Sequence, residues 1–402
     1  MRAPTLTVDL AAVAHNARVF AGVSPGFMAV VKADAFNHGA AEVARTALAN
    51  GARRLGVTSI REAVRLRGQG IAAPVLSWMN PPNADYTEAI GLYVELAVSD
   101  LEQLHAIADA PRRAERVPGI HLFADTGMAR DGAPPDRWAE LCERARSLEK
   151  SGRVRIVGVM SHLAWAEDPA HPANEQAVRS FEAAVDVLHR AGATSVVRHL
   201  ANSAGALGIP RTRFDTARIG AGLYGIDPSG RYGLRRAMTL AAPVVMVRDA
   251  EEGTPVGYGH THRTRSRTRL ALVPLGYADG VPRSAAGTAE VAVHGRRCPI
   301  VGTISMDQIV VDVGDLPVHA GDPVTVFGPG DEGEPTTADW ARWCRTNEHE
   351  VMTGIGPRVE RIIHARIPDT PAAFHDTARL AGASASFATT PDLKETGSRA
   401  QH

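Results

Sequence analysis

The sequence predicts an α/β protein: an amino-terminal (β/α)8 barrel of the TIM type followed by a mostly-β carboxyl-terminal domain. Three observations carry this. From about residue 27 to 227, short apolar runs alternate with helix-like stretches rich in Ala, Arg, Glu and Leu, the pattern of parallel βαβ units. Eight such runs are present, the number that closes a barrel. Beyond about residue 236 the texture changes to short runs bounded by Gly, Pro and Asp turns, with little helical patterning, as in β-rich domains.

In chain order, the barrel strands are expected at 27–31, 54–58, 74–78, 95–98, 119–124, 154–160, 196–200 and 216–219. Intervening segments such as 60–68 and 176–191 carry apolar positions at helical spacing. The second domain is expected to place strands at 244–248, 269–275, 289–294, 309–313 and 323–327, with one helix over 337–345. The boundaries that follow are 1–235 for the barrel and 236–370 for the β-rich domain. Residues 371–402, rich in Ala, Ser, Thr and charge without periodicity, are expected to form a disordered tail.

Bulk properties exclude several function classes. Forty-four basic residues balance forty-four acidic ones, so no net field draws the chain to nucleic acid or an anionic membrane. The one basic run, Arg263, Arg265, Arg267 and Arg269, reads as a solvated loop or hairpin face. Cys142, Cys298 and Cys344 are odd in number and widely spaced, which suits buried thiols in a reducing compartment better than disulfides or a metal site. The first residues lack the apolar core of a signal peptide, and no apolar run approaches a membrane span. A soluble, cytoplasmic protein without a membrane or nucleic-acid partner is expected.

The most informative residue is Lys32. In Phe27-Met28-Ala29-Val30-Val31-Lys32-Ala33-Asp34-Ala35-Phe36-Asn37-His38-Gly39 it closes an apolar run and precedes small, turn-forming residues, so it sits at a strand's carboxyl end, where barrels place their active sites. A lysine there is paired, snorkelling, or chemically used. Desolvation lowers its pKa, which suits a Schiff-base nucleophile. Taken alone, the residue leaves these readings open. A second motif, Gly220-Ala221-Gly222-Leu223-Tyr224-Gly225, satisfies the dinucleotide fingerprint, but a turn (Ile226-Asp227-Pro228-Ser229-Gly230) follows where a helix is required. Its amides remain candidates for cradling a phosphate.

The Lys32 run resembles the cofactor-lysine segment of bacterial alanine racemases, and other segments similar to that family recur in order between roughly residues 5 and 367. They are His121-Leu122-Phe123-Ala124-Asp125-Thr126-Gly127-Met128-Ala129-Arg130, Met160-Ser161-His162-Leu163-Ala164 and His199-Leu200-Ala201-Asn202-Ser203-Ala204-Gly205. Ala217-Arg218-Ile219-Gly220-Ala221-Gly222-Leu223-Tyr224-Gly225, Leu275-Gly276-Tyr277-Ala278-Asp279-Gly280 and Ser305-Met306-Asp307-Gln308 complete the set. Singly, each residue has a structural reading. Tyr277 reads as an interface tyrosine, His162 as a hydrogen-bonded loop histidine, Arg218 as an ion-pair partner and Ser203 as a helix cap.

What the resemblance implies is specific. The cofactor is pyridoxal 5'-phosphate, held by Lys32, His162, Ser203, Arg218, Gly220 and Ala221. Lys32 and Tyr277 are the two acid–base groups, one on each face of the substrate Cα, supported by His162 and Arg218. Arg130 and the Met306 amide hold the substrate carboxylate. Tyr277 and Met306 come from the partner subunit, which implies a homodimer with shared active sites. The same scaffold also suits a decarboxylase or lyase, and a non-catalytic pyridoxal phosphate protein is the reading from a different class. The β-rich domain and Tyr277 favour the racemase.

Three positions depart from the family pattern. Phe36 and Pro357 stand where tyrosines that contact the cofactor phosphate are usual, and Phe123 replaces a lysine that positions the arginine matched by Arg130. The expectation is weaker cofactor holding and, from Pro357, room for a side chain larger than methyl. Asn37 replaces a glycine, which is tolerable at a left-handed position.

Overall fold

The computed structural model describes residues 3–110 and 116–364. The expectation of a disordered tail at 371–402 lies outside the described residues. Strand β1 (Thr5–Asp9) and helix α1 (Leu10–Val23) precede the barrel. The barrel strands are β2 (Met28–Val30), β3 (Arg54–Val57), β4 (Val75–Ser77), β5 (Val94–Val98), β6 (Gly119–Phe123), β7 (Arg155–Met160), β8 (Val197–His199) and β9 (Arg218–Ile219). They pair in parallel, in the order β8-β7-β6-β5-β4-β3-β2-β9. The Arg218 amide, donating to Ala201 O at 2.9 Å, links the first and last strands.

Seven of the connections carry helices: α2 (Lys32–Asn37) with α3 (Ala40–Ala49), α4 (Ile60–Gly68), α5 (Tyr86–Gly91), α6 (Leu101–Asp109), α7 (Pro135–Lys150), α8 (Pro172–Arg190) and α9 (Ser203–Gly208). Helix α8 buries Ala177, Val178, Phe181, Val185 and Leu188, a helical repeat against the sheet. All eight predicted barrel strands are present, shifted by at most two residues.

The second sheet contains β10 (Met238–Pro243), β11 (Met246–Ala250), β14 (Thr268–Val273), β15 (Glu290–Val293), β16 (Arg296–Val301), β17 (Ile309–Asp312), β18 (Pro323–Phe327) and β19 (Glu360–His364). A small ladder, β12 (Pro255–Val256) with β13 (His262–Arg263), lies apart, and helices α10 (Thr337–Cys344) and α11 (Glu348–Thr353) precede β19. β1 joins this sheet rather than the barrel, pairing antiparallel with β10 and parallel with β19. Strands β1, β10, β12, β13, β16 and β19 and helix α11 are additions to the sequence expectation. Arg263 donates to Gly253 O and Arg269 to Leu316 O and Val318 O, so two of the four clustered arginines tie down backbone.

The core is continuous through both parts. Phe20, Phe27, Leu55, Leu96, Phe181, Leu240, Phe327 and Trp340 are all fully buried in it. All three cysteines are free thiols. Among the described residues, no helix is long and apolar enough to cross a membrane, and no group of three metal-ligating side chains occurs.

Candidate active site

A cavity of about 790 Å³ opens at the carboxyl ends of the barrel strands, lined among others by Lys32, Arg130, His162, Ser203, Arg218 and Gly220. Lys32 follows β2 after one intervening residue, at the start of α2, and is half-buried. Its ammonium has no hydrogen bond or ion pair among the described residues. Burial, then the charge of Arg130, and also Arg218, push its pKa down, while Glu62 alone pulls it up. That carboxylate is otherwise engaged. It closes the capping box of α4 with Ser59 and accepts from the amides of Ala33 (2.7 Å) and Thr58 (2.8 Å). The ion-paired reading of Lys32 is thereby removed, leaving a lysine biased toward the neutral, nucleophilic amine.

The loop that presents Lys32 is unusual. Ala33, Asp34, Ala35, Phe36 and Asn37 have φ between 52° and 66°, so α2 is a left-handed turn of five consecutive non-glycine residues. Each such residue costs roughly 1–2 kcal/mol, so neighbouring groups must hold the turn in place. Asp34 Oδ1 accepts from the Ala40 amide at 2.8 Å, and its other oxygen pairs with Arg361 of β19. Asn37 donates to Ile355 O at 2.9 Å and accepts from Arg361 at 3.2 Å. The His38 ring stacks on Tyr224 at 4.5 Å, and Phe36 packs on the same tyrosine at 4.7 Å. Asn37 is left-handed, the condition under which Asn was expected to be tolerated at this position.

Arg218 is buried and spends its donors in a fixed way. Nη1 donates to His199 O (2.8 Å) and His199 Nδ1 (3.2 Å); Nη2 donates to Ser161 O and to His162 Nδ1 at 3.0 Å. Of five N–H groups, only Nε–H has no partner among the described residues. Arginine cannot accept, so His162 Nδ1 is the acceptor and the imidazole proton sits on Nε2. Burial first, then the charges of Arg218, Arg130 and Lys32, pull the His162 pKa down to about 3. His162 is therefore a neutral ring with an N–H to offer. Burial and Arg130 bring Arg218 to about 10, still a cation at neutral pH.

Ser203 and the glycine turn form a compact cradle. Asn202, not Ser203, caps α9 through the Gly205 amide at 2.9 Å. The Ser203 hydroxyl accepts from the Gly220 and Gly222 amides, both at 3.1 Å. Residues Ala221–Tyr224 make a single 3-10 turn rather than a helix, consistent with rejecting the dinucleotide fingerprint. A Cβ at Gly220 would meet Phe36 Cζ at 3.3 Å and Val30 Cβ at 3.4 Å. The para position of Phe36 thus points at this turn.

Arg130 also lines the cavity, exposed and without a carboxylate partner among the described residues. Its loop is set by Asp125, which accepts from the amides of Gly127, Met128 and Ala129. Phe123 is buried, packs with Met28, Leu76, Ala97 and Met160, and lines a small cleft together with Arg130.

Tyr277 and Met306 are brought together elsewhere. The Tyr277 amide donates to Ser305 O (3.1 Å) and the Ala278 amide to Met306 O (3.0 Å). A Cβ at Gly276 would lie 2.3 Å from both acceptor oxygens, so only glycine permits this approach. Asp279 accepts from the Gly276 amide at 2.9 Å, and Arg358 bridges Asp279 and Asp307. Tyr277 is 43% and Met306 53% exposed on this braced loop pair, and neither lines the Lys32 cavity. Pro357, which precedes Arg358 of that brace, is exposed.

Sequence reading missed three further polar residues in the barrel, Glu95, His121 and His199. Their signal is parity: each interrupts an apolar strand at a position whose side chain faces inward. Sequence reading also missed His349 of α11, which lines the cavity with its ring 5.4 Å from Phe36.

Comparison with known proteins agrees with this geometry. The family model for the alanine racemase N-terminal domain matches residues 8–228 and that for the C-terminal domain residues 237–363. An alanine racemase of Frankia casuarinae is 45% identical over 340 residues, 83% of this chain and 88% of its own. The crystal structure of alanine racemase from D-cycloserine-producing Streptomyces lavendulae superposes with a TM-score of 0.89 at 39% identity, covering 91% of this chain and 98% of that one. The alanine racemase of Bartonella henselae, solved with covalently bound pyridoxal phosphate, gives 0.82 at 28% identity over 90% of this chain and all of its own. A barrel carrying Lys32 and Arg218, a β-rich partner carrying Tyr277, and relatives matching across both make this chain a member of the alanine racemase family.

Proposed function

We propose that the chain is a pyridoxal 5'-phosphate-dependent racemase interconverting L- and D-alanine, and that it works as a homodimer in which Tyr277 and Met306 of the partner subunit complete the Lys32 cavity. One observation carries this reading. Lys32, His162 and Arg218 converge on one cavity, where the lysine forms no ion pair among the described residues, while Tyr277 stands exposed on a braced loop outside it.

The residues present fit the cofactor. Lys32 offers an unpaired amine, Arg218 one N–H, and Gly220 a space that a Cβ would fill. Ser203, Gly220 and Ala221 would hold the phosphate, His162 and Arg218 the ring side. When bound, the cofactor makes the Cα proton removable by drawing the electron pair left behind into its ring.

The protein supplies the rest. Lys32 takes or returns the proton on one face, and Tyr277 of the partner subunit on the other. A phenol's ordinary pKa near 10 is too high for a neutral-pH base, and a hydrogen bond from His162 Nε2–H favours the phenolate. Arg218 would offer a permanent charge and its remaining donor to the ring nitrogen of the bound cofactor, which would disfavour protonating that nitrogen. Arg130 and the Met306 amide receive the substrate carboxylate, fixing Cα between the two bases. Phe36 and Phe123 remove polar groups from the phosphate side and from the cleft shared with Arg130, and Pro357 reduces bulk beside the Tyr277 loop. We read these as loosening cofactor holding and admitting side chains larger than methyl. The three free thiols suit the cytoplasm.

Chiral analysis of alanine incubated with the cofactor-loaded protein tests the function. Conversion of either enantiomer to the racemate is expected; release of a decarboxylated amine or no turnover would contradict it.

A further inference from the structure

Four strands of the barrel contribute polar groups that join into a single file: Glu95 of β5, His121 of β6, His199 of β8 and Arg218 of β9. Glu95 lies at the amino-terminal end of β5, on the face opposite the cavity, where it pairs with Arg54. His121 Nε2 is 3.1 Å from Glu95 Oε2, and His121 Nδ1 is 2.9 Å from His199 Nε2. His199 Nδ1 is 3.2 Å from Arg218 Nη1, and Arg218 reaches His162 Nδ1 at 3.0 Å. Both linking histidines are fully buried.

The strands make room for it. Strand β7 lies between β6 and β8, so the His121–His199 contact crosses over it. The residue at the crossing is Gly158, where a Cβ would stand 2.4 Å from His121 Nδ1. A register shift between β6 and β7 skips Val157, so that Ile120 faces Ile156 while His121 faces Gly158. Bulges of this kind re-aim side chains near functional sites.

The chemistry of the ends sets the direction. Arg218 only donates, so His199 Nδ1 accepts and its proton is on Nε2. That N–H then donates to His121 Nδ1, whose own proton must sit on Nε2 and donate to Glu95, a carboxylate that only accepts. Every bond points from Arg218 toward Glu95. Arg218 does not release its proton, so the file orients and does not conduct. We propose that Glu95, His121 and His199 are positioning residues for the reaction: a one-way file of hydrogen bonds that fixes Arg218 and, through it, the tautomer that keeps an N–H of His162 facing the cavity. This rests on the racemase reading for its consequence, but not for its geometry.

Neutron diffraction from crystals of the unmodified, cofactor-loaded enzyme reads the protons directly. Deuterium is expected on Nε2 and absent from Nδ1 at His121, His199 and His162. Deuterium on Nδ1 of any of the three overturns the proposal, even if racemisation and the role of Tyr277 hold. Glu95→Leu, which removes the terminal acceptor, is expected to lower kcat about tenfold with KM changed less than about twofold. Glu95→Gln, which keeps an accepting oxygen, is expected to restore most of that loss. Unchanged kcat in folded Glu95→Leu, or an equal loss in Glu95→Gln, would assign the file a structural role only.

Discussion

Lys32 and Tyr277, the two proposed proton-transfer groups, differ in how far sequence alone singles them out. Lys32 is conspicuous in sequence because a charge ends an apolar strand, and its environment agrees: burial and two guanidiniums lower its pKa. Reduction of the cofactor-loaded protein with borohydride, followed by peptide mapping, is expected to find the pyridoxyl group on Lys32. Tyr277→Phe is expected to reduce racemisation by at least a thousandfold while leaving that label in place, because the phenol anchors nothing on the Lys32 side. Near-normal turnover by Tyr277→Phe would remove it from catalysis. Phe36 offers a gain-of-function test. Its Cζ faces the Gly220 turn, so the hydroxyl of Phe36→Tyr reaches the phosphate cradle. One added hydrogen bond of about 0.5–1.5 kcal/mol should tighten cofactor retention several-fold, measurable as the dialysis half-life of the absorbance. Lys32 and Arg218 stand out in sequence because each places a charge at an apolar run. His199 and His121 were quoted only as parts of motifs, since their role depends on which strands are neighbours, and that is a property of the sheet.

At the scale of elements, the left-handed turn after β2 is the least legible feature and the one most dependent on distant parts. Nothing in Ala33-Asp34-Ala35-Phe36 advertises positive φ; only Asn37 does. The turn is held by Arg361, Ile355 and Tyr224, all more than 180 residues away in sequence. Asn37→Ala removes the bonds to Ile355 and Arg361 and replaces a residue suited to the left-handed region. It is expected to destabilise the protein by about 1–3 kcal/mol in urea titration and to lower cofactor affinity in parallel. A change under about 0.5 kcal/mol would show that other contacts suffice. Barrel strands such as β2, β4 and β7 were read correctly because they are buried on both faces and run almost entirely in apolar residues. β19 was not, because four of its five residues are exposed and no alternation marks it. β16 begins Arg-Arg, and β10 is buried at five of six positions, so neither shows a period of two. Strand type survives in sequence only where burial is regular.

For the whole molecule, burial of neutral histidines links stability to pH. Burial lowers His38 to about 4, and burial with the Arg218 charge lowers His162 to about 3. His121 and His199 are lowered as well, chiefly by burial. Each has a folded pKa below its unfolded value of about 6.5, so the unfolded state binds more protons between the two. The stability is fully present above pH 6.5 and is lost as pH falls toward 3. Melting temperature is expected to decline steadily from pH 6.5 to 4, a loss on the order of several kcal/mol; a flat profile to pH 4 would mean that these rings are charged in the folded protein. The two parts of the chain are joined by more than a linker. β1 threads from the barrel side between β10 and β19, and Arg361 then reaches back to the Lys32 turn. The resulting unit carries Lys32 and Tyr277 at separate places, which makes subunit complementation the most direct test of a shared site. Lys32→Ala and Tyr277→Phe, each inactive alone, are to be co-expressed with different tags and the doubly tagged dimer isolated. In a two-fold dimer one of its two sites is then intact and the other doubly defective, so about half of the unmodified specific activity is expected to return in the racemisation assay. A doubly tagged dimer that stays inactive would contradict the assignment of Lys32 and Tyr277 to one active site across two subunits.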